Sequence, residues 1–270
     1  FNWNIYTYDL TTKKERQISA FHWNEFMPAW MKRGSGVLYA LRAEKSTFII
    51  HGKTSGADFK QITLKNNEAF YPDISPDGRM LAYQSYTGNN WEIFTLKLTE
   101  KFPESSRKQL THTSRVNETR PLWSPDGRRI LFIANYRNSN DYDLYMMSYP
   151  DGVAAPLTAK GNIAPEYVWS PDGTRIAYTS HASGHGDIFI VETDGGKKIP
   201  VAVTAADERF PVWSPDGNYI AFLRRRGNNY YLFSAAASGA DAPAAEPDQL
   251  SSIPCYPEPI VWFSIDDVIF

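Results

Sequence analysis

The sequence is poor in cysteine, has no long apolar run and carries no excess of positive charge. A single cysteine, Cys255, cannot form an intramolecular disulfide, so cysteine usage does not indicate the redox compartment. No apolar run approaches the roughly 18 residues that span a bilayer, and we therefore predict no transmembrane segment. The formal net charge of −2 argues against nucleic-acid binding, which a basic excess would favour.

Several catalytic signatures are also missing. The chain contains no G-x-S-x-G nucleophile elbow, no phosphate-binding P-loop and no dinucleotide fingerprint. Its first residues do not look like a signal peptide, so we expect that any targeting segment was removed. These absences leave no support for the common hydrolase and nucleotide-dependent enzyme classes.

The sequence does contain a repeated phrase, tryptophan followed by Ser-Pro-Asp-Gly. Proline presets φ for a tight turn, aspartate can hydrogen-bond to nearby backbone, and glycine accepts a positive φ. Each phrase therefore predicts a hairpin turn between a short strand that ends in tryptophan and an apolar strand that follows. The phrase occurs at residues 123–127, 169–173 and 213–217, and at 74–78 with isoleucine in place of tryptophan.

Two further markers define the repeating unit. One is an aromatic-aliphatic strand such as residues 188–191, and the other is a closing aliphatic residue followed by Ser or Thr, such as Leu110-Thr111. Together with the turn they predict four antiparallel strands, A to D, in a unit of about 44 to 49 residues, which is the length of a propeller blade. One such sheet cannot bury both faces alone, so the units must stack around an axis.

The two ends of the chain carry complementary halves of one unit. Residues 1–19 match only strands C and D, while residues 260–262 and 268–270 match only strands A and B. We predict an all-β, six-bladed β-propeller with four-stranded antiparallel blades, closed by a composite blade from both termini. Residues 1–270 then form a single domain with blades at 20–63, 64–111, 112–158, 159–204, 205–251, and 252–270 plus 1–19. Residues 235–248 are predicted to form a flexible C–D loop.

The phrase, the aromatic C strand and the closing Leu-Thr resemble the WD-like β-propeller repeat of the TolB-like family over essentially the whole chain. The resemblance implies a six-bladed propeller in a periplasmic or otherwise extracytoplasmic location. It also implies a non-enzymatic platform that binds a protein or peptide. We accordingly predict a monomer with a protein or peptide partner and no cofactor.

The predicted D–A connections each carry a glutamate, and three of these lie three residues before the proline of strand A. One interpretation is a ring of carboxylates at the mouth of the central channel, suited to a divalent cation, a basic peptide or an amine. The other is a repeated structural carboxylate that bonds loop backbone or pairs with a nearby arginine. The glutamates are Glu25, Glu68, Glu118, Glu166, Glu208 and Glu258, of which Glu25, Glu118 and Glu208 share one register.

The predicted B–C loops add arginine and aromatic residues to the same face. These types are enriched at protein-interface hot spots, and the same mixture serves sugar binding. Ordinary solvated hairpin tips are the alternative. The B–C residues concerned are Tyr86, Asn89, Asn90, Trp91, Tyr136, Arg137 and the run 224–226. The predicted partner-binding set is Glu25, Glu68, Glu118, Arg120, Glu166, Glu208, Arg209, Glu258, Arg137 and Arg225.

Two clusters resemble metal sites without matching them. Residues 138–143 offer hard oxygen ligands but lack the glycine and terminal glutamate of a calcium loop. His181 and His185 with Asp187 have a zinc-like spacing that belongs on helices and not on a glycine-containing hairpin. We predict no metal in either cluster, and a divalent cation at the central channel stays open.

Two other functions remain as alternatives. Some propellers of this repeat type resemble metal-dependent oligosaccharide lyases, although histidine is scarce at the predicted channel. Propellers also gate prolyl-oligopeptidase-type peptidases, although those rings usually have more blades. The sequence leaves the partner and the pathway open.

Overall fold

A computed structural model describes residues 3–9, 11–19, 21–31, 34, 36–56, 58–64, 68–99, 103–138, 140–195, 197–237 and 247–254. The structure is built of β-strands, with a short 3₁₀ helix at Pro103–Ser106. The described residues fall into two compact units. Unit 1 holds those of Phe1–Ala134 and Met147–Val153, and unit 2 holds those of Asn135–Met146 and Ala154–Val268.

Unit 1 begins with a two-stranded sheet, continues with two four-stranded sheets, and includes the start of a third. Within each sheet, strands that are consecutive in the chain pair antiparallel. Its strands are β1 (Tyr6–Asp9), β2 (Lys14–Gln17), β3 (Asn24–Trp30), β4 (Val37–Ala43), β5 (Ser46–Gly52), β6 (Phe59–Gln61), β7 (Ala69–Ile74), β8 (Met80–Tyr86), β9 (Trp91–Lys97), β10 (Lys108–Gln109), β11 (Glu118–Trp123) and the first part of β12 (Arg129–Asn138).

Unit 2 contains the rest of that third sheet and two further four-stranded antiparallel sheets. Its strands are most of β13 (Asp141–Ser148), β14 (Ala155–Pro156), β15 (Ile163–Trp169), β16 (Arg175–Ser180), β17 (Asp187–Glu192), β18 (Lys198–Ala202), β19 (Glu208–Trp213), β20 (Tyr219–Arg226), β21 (Asn229–Ala236) and β22 (Asp248–Gln249). In each four-stranded sheet, the strands correspond to the predicted A, B, C and D.

The predicted fold class, an all-β six-bladed propeller, is confirmed. Five blades are the four-stranded sheets, and the β1–β2 hairpin supplies strands C and D of the sixth. The strands predicted at 260–262 and 268–270, and most of the predicted loop 235–248, lie outside the described residues. The single domain and the blade boundaries stay predictions.

The four Ser-Pro-Asp-Gly segments form the predicted hairpin turns, and all four use the same hydrogen bonds. In residues 123–127, Ser124 Oγ donates to Asp126 Oδ1 at 2.5 Å, and Asp126 Oδ1 also accepts from the backbone N–H of Arg128 at 3.0 Å. Ser124 Oγ in turn accepts from the N–H of Arg129 at 2.9 Å. Gly127 has φ 68°, which explains the glycine. The serine thus has a role that the sequence alone did not assign.

Apolar side chains of strands B and C pack neighbouring sheets together inside each unit. In unit 1, Leu38 and Ile49 of one sheet pack against Leu81, Tyr83 and Phe94 of the next. In unit 2, a cluster that includes Ile188 and Ile190 on one sheet and Trp213, Ile220 and Phe222 on the other plays the same part. Burial of this apolar area is the main force that holds sheet on sheet.

The closing threonines Thr63, Thr111 and Thr158 hold strand D to strand C in their blades. Thr63 Oγ1 accepts from the backbone N–H of Ile49 at 2.9 Å, and Thr111 Oγ1 accepts from that of Ile93 at 2.8 Å. Thr158 Oγ1 accepts from the N–H of Leu144 at 2.9 Å. Because β10 and β14 have only two residues each, this side-chain bond extends the pairing and positions the D–A connection that follows.

Candidate functional site

The three glutamates that share one register lie at the starts of A strands, where the D–A connection enters the sheet. Glu25 is the second residue of β3, and Glu118 and Glu208 are the first residues of β11 and β19. Their exposed fractions are 1%, 0% and 0%. Because a buried carboxylate is costly without partners, its neighbours decide what it can do.

Glu25 joins the two-stranded sheet of unit 1 to β3. Its Oε2 accepts from the backbone N–H of Ile5 at 3.1 Å and from the hydroxyl of Ser19. Ser19 is the closing residue of the preceding sequence repeat, so the contact ties one sheet to the next. These bonds fit the second interpretation of the sequence, in which the glutamate is a structural carboxylate that bonds to backbone.

Glu118 belongs to a network that ties the D–A connection of unit 1 to the preceding B–C turn. Thr113 Oγ1 donates to Glu118 Oε1 at 2.5 Å, and the N–H of Thr113 donates to Glu92 Oε1 at 3.1 Å. Asn90 Nδ2 donates to Glu92 Oε1 at 2.7 Å and to the carbonyl oxygens of Thr113 and Val116 at 2.7 and 2.6 Å. These bonds fix the shape of both loops.

Glu208 in unit 2 is held by a hydroxyl and a cation. Its Oε1 accepts from Thr204 Oγ1 at 2.6 Å and from Arg224 Nε at 2.9 Å. Burial raises the pKa of Glu208, while the bond from Thr204 and the charge of Arg224 act in the opposite direction. The run 224–226 is not part of a loop as predicted, because β20 extends to Arg226 and its Arg224 side chain is 8% exposed.

Glu166 and Arg209 are brought together in unit 2. Glu166 Oε2 accepts from the backbone N–H of Phe210 at 3.1 Å, and its Oε1 lies 3.8 Å from Arg209 Nη1. Arg209 Nε also lies 3.2 Å from Asp207 Oδ2, which accepts a 2.7 Å bond from the Tyr230 hydroxyl. Arg209 thus bridges two carboxylates while its side chain stays 32% exposed.

Glu68, Arg120 and Arg225 have further contacts, and the backbone N–H of Arg225 donates to the carbonyl oxygen of Asp207 at 2.9 Å. Half-buried Glu68 precedes β7, and its carbonyl oxygen accepts from the N–H of Tyr86 at 3.2 Å. The Arg120 guanidinium carbon lies 4.3 Å from the ring centroid of Tyr71. Exposed Arg225 donates from Nε to the carbonyl oxygen of Gly227 at 2.9 Å. Glu258, and the side chain of Arg137 in β12, lie outside the described part of the structure. A binding role for the predicted set stays a prediction.

Four aromatic side chains form a continuous series at the same strand ends of unit 1, and we call them the aromatic row. Ring centroids lie 5.9 Å apart for Phe26 and Phe70, 5.4 Å for Phe70 and Trp91, and 5.3 Å for Trp91 and Tyr86. Tyr86 is 43% exposed, and the other three are half-buried. We expected Tyr86 and Trp91 at this face and missed Phe26 and Phe70, although both stand four residues before the last residue of an A strand.

The two metal-like clusters take part in local hydrogen bonding. Asp143 Oδ1 accepts from the N–H of Gly161 at 2.9 Å, and Asp187 Oδ2 accepts from Ser183 Oγ at 2.6 Å. Among the described residues, no three His, Cys, Asp or Glu side chains are placed to hold a metal ion. The same residues include no helix that is both long and apolar enough to cross a membrane.

Comparison with known proteins decides the family. The family model described as the TolB beta propeller domain matches residues 49–244. The chain belongs to the TolB beta propeller domain family. This TolB-family chain contains the four repeated turns and all of the aromatic row except Phe26 within the matched residues.

Two curated relatives are longer than the chain. The chain is 36% identical over 117 residues to the uncharacterized peptidase YuxL of Bacillus subtilis, a match that covers 40% of the chain and 16% of YuxL. It is 28% identical over 178 residues to the Tol-Pal system protein TolB of Anaeromyxobacter dehalogenans, covering 62% of the chain and 39% of that protein. The chain therefore spans well under half of either relative.

A solved structure gives the same fold. TolB from Acinetobacter baumannii superposes with a TM-score of 0.67 at 23% identity. The superposition covers 86% of the chain and 57% of that protein. At this identity the likeness shows the propeller fold and nothing further about activity.

Proposed function

We propose that this TolB-family propeller is a non-enzymatic scaffold that binds a protein or peptide. We further propose that it acts as a monomer in the bacterial cell envelope, in the periplasm or another extracytoplasmic location. Family membership and the Tol-Pal system name of one relative support this function. The observation that carries it is the aromatic row, which offers a partner a preformed apolar surface.

The aromatic row suits a peptide because it combines partly exposed rings with a rigid support. Tyrosine, tryptophan and arginine are the residues that most often dominate binding energy at protein interfaces. The N–H of Trp91 donates to Asn117 Oδ1 at 3.1 Å, which holds the start of β9 against the D–A connection. Little conformational entropy is then lost when a partner docks, and this improves affinity.

In this proposal the buried and exposed members of the predicted set act differently. Glu25, Glu118 and Glu208 shape the loops from inside, because their carboxylates are bonded within the protein. Arg120 of unit 1 is half-buried, and Arg225 of unit 2 is exposed. We assign contact with a partner to such accessible side chains together with the aromatic row.

Peptide selection tests the role of the aromatic row. We expect a displayed peptide library to yield binders whose affinity falls by about tenfold or more in Trp91→Ala, since hot-spot aromatics contribute at least about 1.4 kcal/mol. Tyr219→Ala is the matched control. Tyr219 is 48% exposed and is the first residue of β20, next to an A–B turn, whereas the aromatic row lies at the strand ends near the B–C turns. Equal affinity of the peptides for the wild type and for Trp91→Ala would show that the aromatic row is not part of the binding site.

Native mass spectrometry with elemental analysis, before and after a chelator, tests the monomer and the metal. We expect a metal-free monomer. A stoichiometric divalent ion that the chelator removes would instead favour the lyase alternative, and turnover of uronate oligomers would then be assayed.

The peptidase alternative keeps one specific observation in its favour, the 36% identity to the uncharacterized peptidase YuxL over 117 residues. It predicts that the propeller is synthesised as part of a longer chain with a catalytic domain. The intact mass of the protein from its native source distinguishes the two, because the scaffold proposal does not require a catalytic partner domain.

A further inference from the structure

Two neighbouring Ser-Pro-Asp-Gly turns enclose a groove in each unit, at the strand ends opposite the aromatic row. In unit 2 the groove between turns 169–173 and 213–217 is filled by Arg175. Its guanidinium carbon lies 4.6 Å from the ring centroid of Trp213. Its Nη2 and Nη1 donate to the carbonyl oxygens of Gly217 and Ala237, both at 3.0 Å. An arginine of the chain therefore closes this groove.

In unit 1, no arginine is among the described residues that line the groove between turns 74–78 and 123–127. Met80 stands two residues after the glycine of its turn, as Arg175 does. The groove holds a cavity of about 370 Å³, and Met80, Trp123 and Tyr149 are among the residues that line it. Another cavity of unit 1, of about 560 Å³, lies elsewhere. Each groove thus lies between two turns and contains a tryptophan, Trp123 or Trp213. The grooves differ in the side chain that follows the first turn, which is Met80 in unit 1 and Arg175 in unit 2.

The spacing of the turns shows that the grooves are comparable. A Cβ on Gly127 would lie 3.5 Å from Pro76 Cδ, and one on Gly217 would lie 3.8 Å from Pro171 Cδ. On Gly217 it would also lie 3.7 Å from Arg175 Nη2, whereas on Gly127 only the Pro76 contact lies within 4 Å. The place of the guanidinium is therefore open in unit 1.

The indole of Trp123 supplies a second sign of a missing partner. Trp213 Nε1 donates to the carbonyl oxygen of Val168 at 3.3 Å. Trp123 is 6% exposed and lines the unit 1 groove, yet its Nε1 has no hydrogen-bond partner among the residues that the structure describes. A buried donor without an acceptor is costly, so a ligand that brings a carbonyl oxygen would be favoured.

The charge of the groove selects the ligand further. Exposed Asp77 and Asp126 both line it. The Asp126 carboxylate bonds to Ser124, and this bond keeps its pKa below the usual range, with the nearby charges of Arg129 and Arg128 acting in the same direction. Tyr149 packs against Trp123 with centroids 4.7 Å apart and adds an aromatic wall. Carboxylates and aromatic rings together suit a guanidinium better than an ammonium ion, because its planar fork donates and stacks at once.

We propose that the groove between turns 74–78 and 123–127 binds an arginine side chain of a partner protein. The arginine occupies the place that Arg175 occupies in unit 2. The carbonyl oxygen of the arginine-bearing segment accepts from Trp123 Nε1. This site is separate from the aromatic row and does not depend on the function proposed for it.

Nuclear magnetic resonance of the full chain tests the proposal with N-acetyl-arginine amide as the probe. We expect a saturable shift of the Trp123 indole resonance, assigned through Trp123→Phe, with half-saturation at about 1–10 mM, as suits a partly exposed charge pair. The citrulline analogue has the same shape without the charge and should produce no shift. An equal response to both compounds, or none to arginine, overturns the proposal.

Two reciprocal variants sharpen the test. Met80→Arg should fill the groove from within and abolish the response, and Arg175→Met should open the unit 2 groove and make the Trp213 indole respond. If Met80→Arg does not fold, Asp126→Asn replaces it, with about threefold weaker binding expected. Asp216→Asn, in the filled groove, is its control and should bind as the wild type does. Unchanged binding in Met80→Arg or Asp126→Asn contradicts the proposal.

Discussion

Glu118 in unit 1 and Glu208 in unit 2 occupy the same position of strand A and face different residues across the ladder. Across the ladder, Glu208 faces Arg224, whereas Glu118 faces Ala134. Glu208 therefore accepts a hydrogen bond from the Arg224 guanidinium of the neighbouring strand. Glu118 accepts one from the hydroxyl of Thr113, which lies in the D–A connection. The repeat preserves the carboxylate and a threonine hydroxyl that bonds to it, but not the residue that faces it across the ladder, so equal positions in the sequence have unequal energetics.

The largest effect is expected where the cation is removed. Arg224→Met should lower the free energy of unfolding by about 3–5 kcal/mol, because Glu208 would stay buried without its counter-charge. Urea unfolding at pH 8 measures the change. Adding Glu208→Gln should recover most of the loss. Arg225→Met is the control, since Arg225 is exposed and should change stability by less than about 0.5 kcal/mol. A loss below about 1 kcal/mol in Arg224→Met would show that the pair is dispensable.

Changing the carboxylates should give an intermediate effect and an order. Glu208→Gln should cost about 2–3 kcal/mol, because Arg224 would lose its counter-charge. Glu118→Gln should cost about 1 kcal/mol, since a glutamine oxygen can still accept from Thr113. Thermal unfolding of the two variants gives the comparison. The reverse order would show that the Glu118 network is the more demanding of the two.

A further effect of modest size concerns Asp73, a carboxylate held by backbone donors, and it depends on pH. Its Oδ2 accepts from the N–H of Trp123 at 2.6 Å. Burial raises the pKa of Asp73 from 3.8 to about 7. The folded protein then holds a proton that the unfolded chain releases, so stability should fall as the pH rises from about 4 to about 7.

Asp73→Asn removes this dependence because the amide carries no charge and can still accept from Trp123. Three pKa units correspond to roughly 4 kcal/mol, but Asp73 is only half-buried, so we expect a smaller gain of about 1–2 kcal/mol at pH 8 and none near pH 4. Urea unfolding at both pH values provides the measurement. The same gain at both would mean that protonation of Asp73 is not its cause.

The repeated elements could be predicted from the sequence because their chemistry is local. A Ser-Pro-Asp-Gly turn forms its bonds within six residues, so 123–127 and its counterparts could be recognised without a tertiary structure. The closing threonine, such as Thr111, recurs at a fixed place for the same reason. The fold class could therefore be predicted from local sequence patterns alone.

The environment of the candidate residues could not be predicted in the same way. The burial of Glu208 depends on Arg224, which lies 16 residues away and becomes a neighbour only when β19 pairs with β20. Arg224 looked like part of a loop because a run of three arginines gives no sign of where a strand ends. Phe26 and Phe70 left a faint signal, an aromatic at one position of strand A, but only the packing of two sheets brings their rings together.

The self-contained turn has a consequence for how such a chain can grow during evolution. Each serine and aspartate forms these bonds inside one six-residue segment, as in residues 214–219. A duplicated gene segment thus arrives with its connection already complete and asks for no compensating change at that point. New copies can then diverge at the other strand ends, where partners such as Arg224 have to be acquired one at a time.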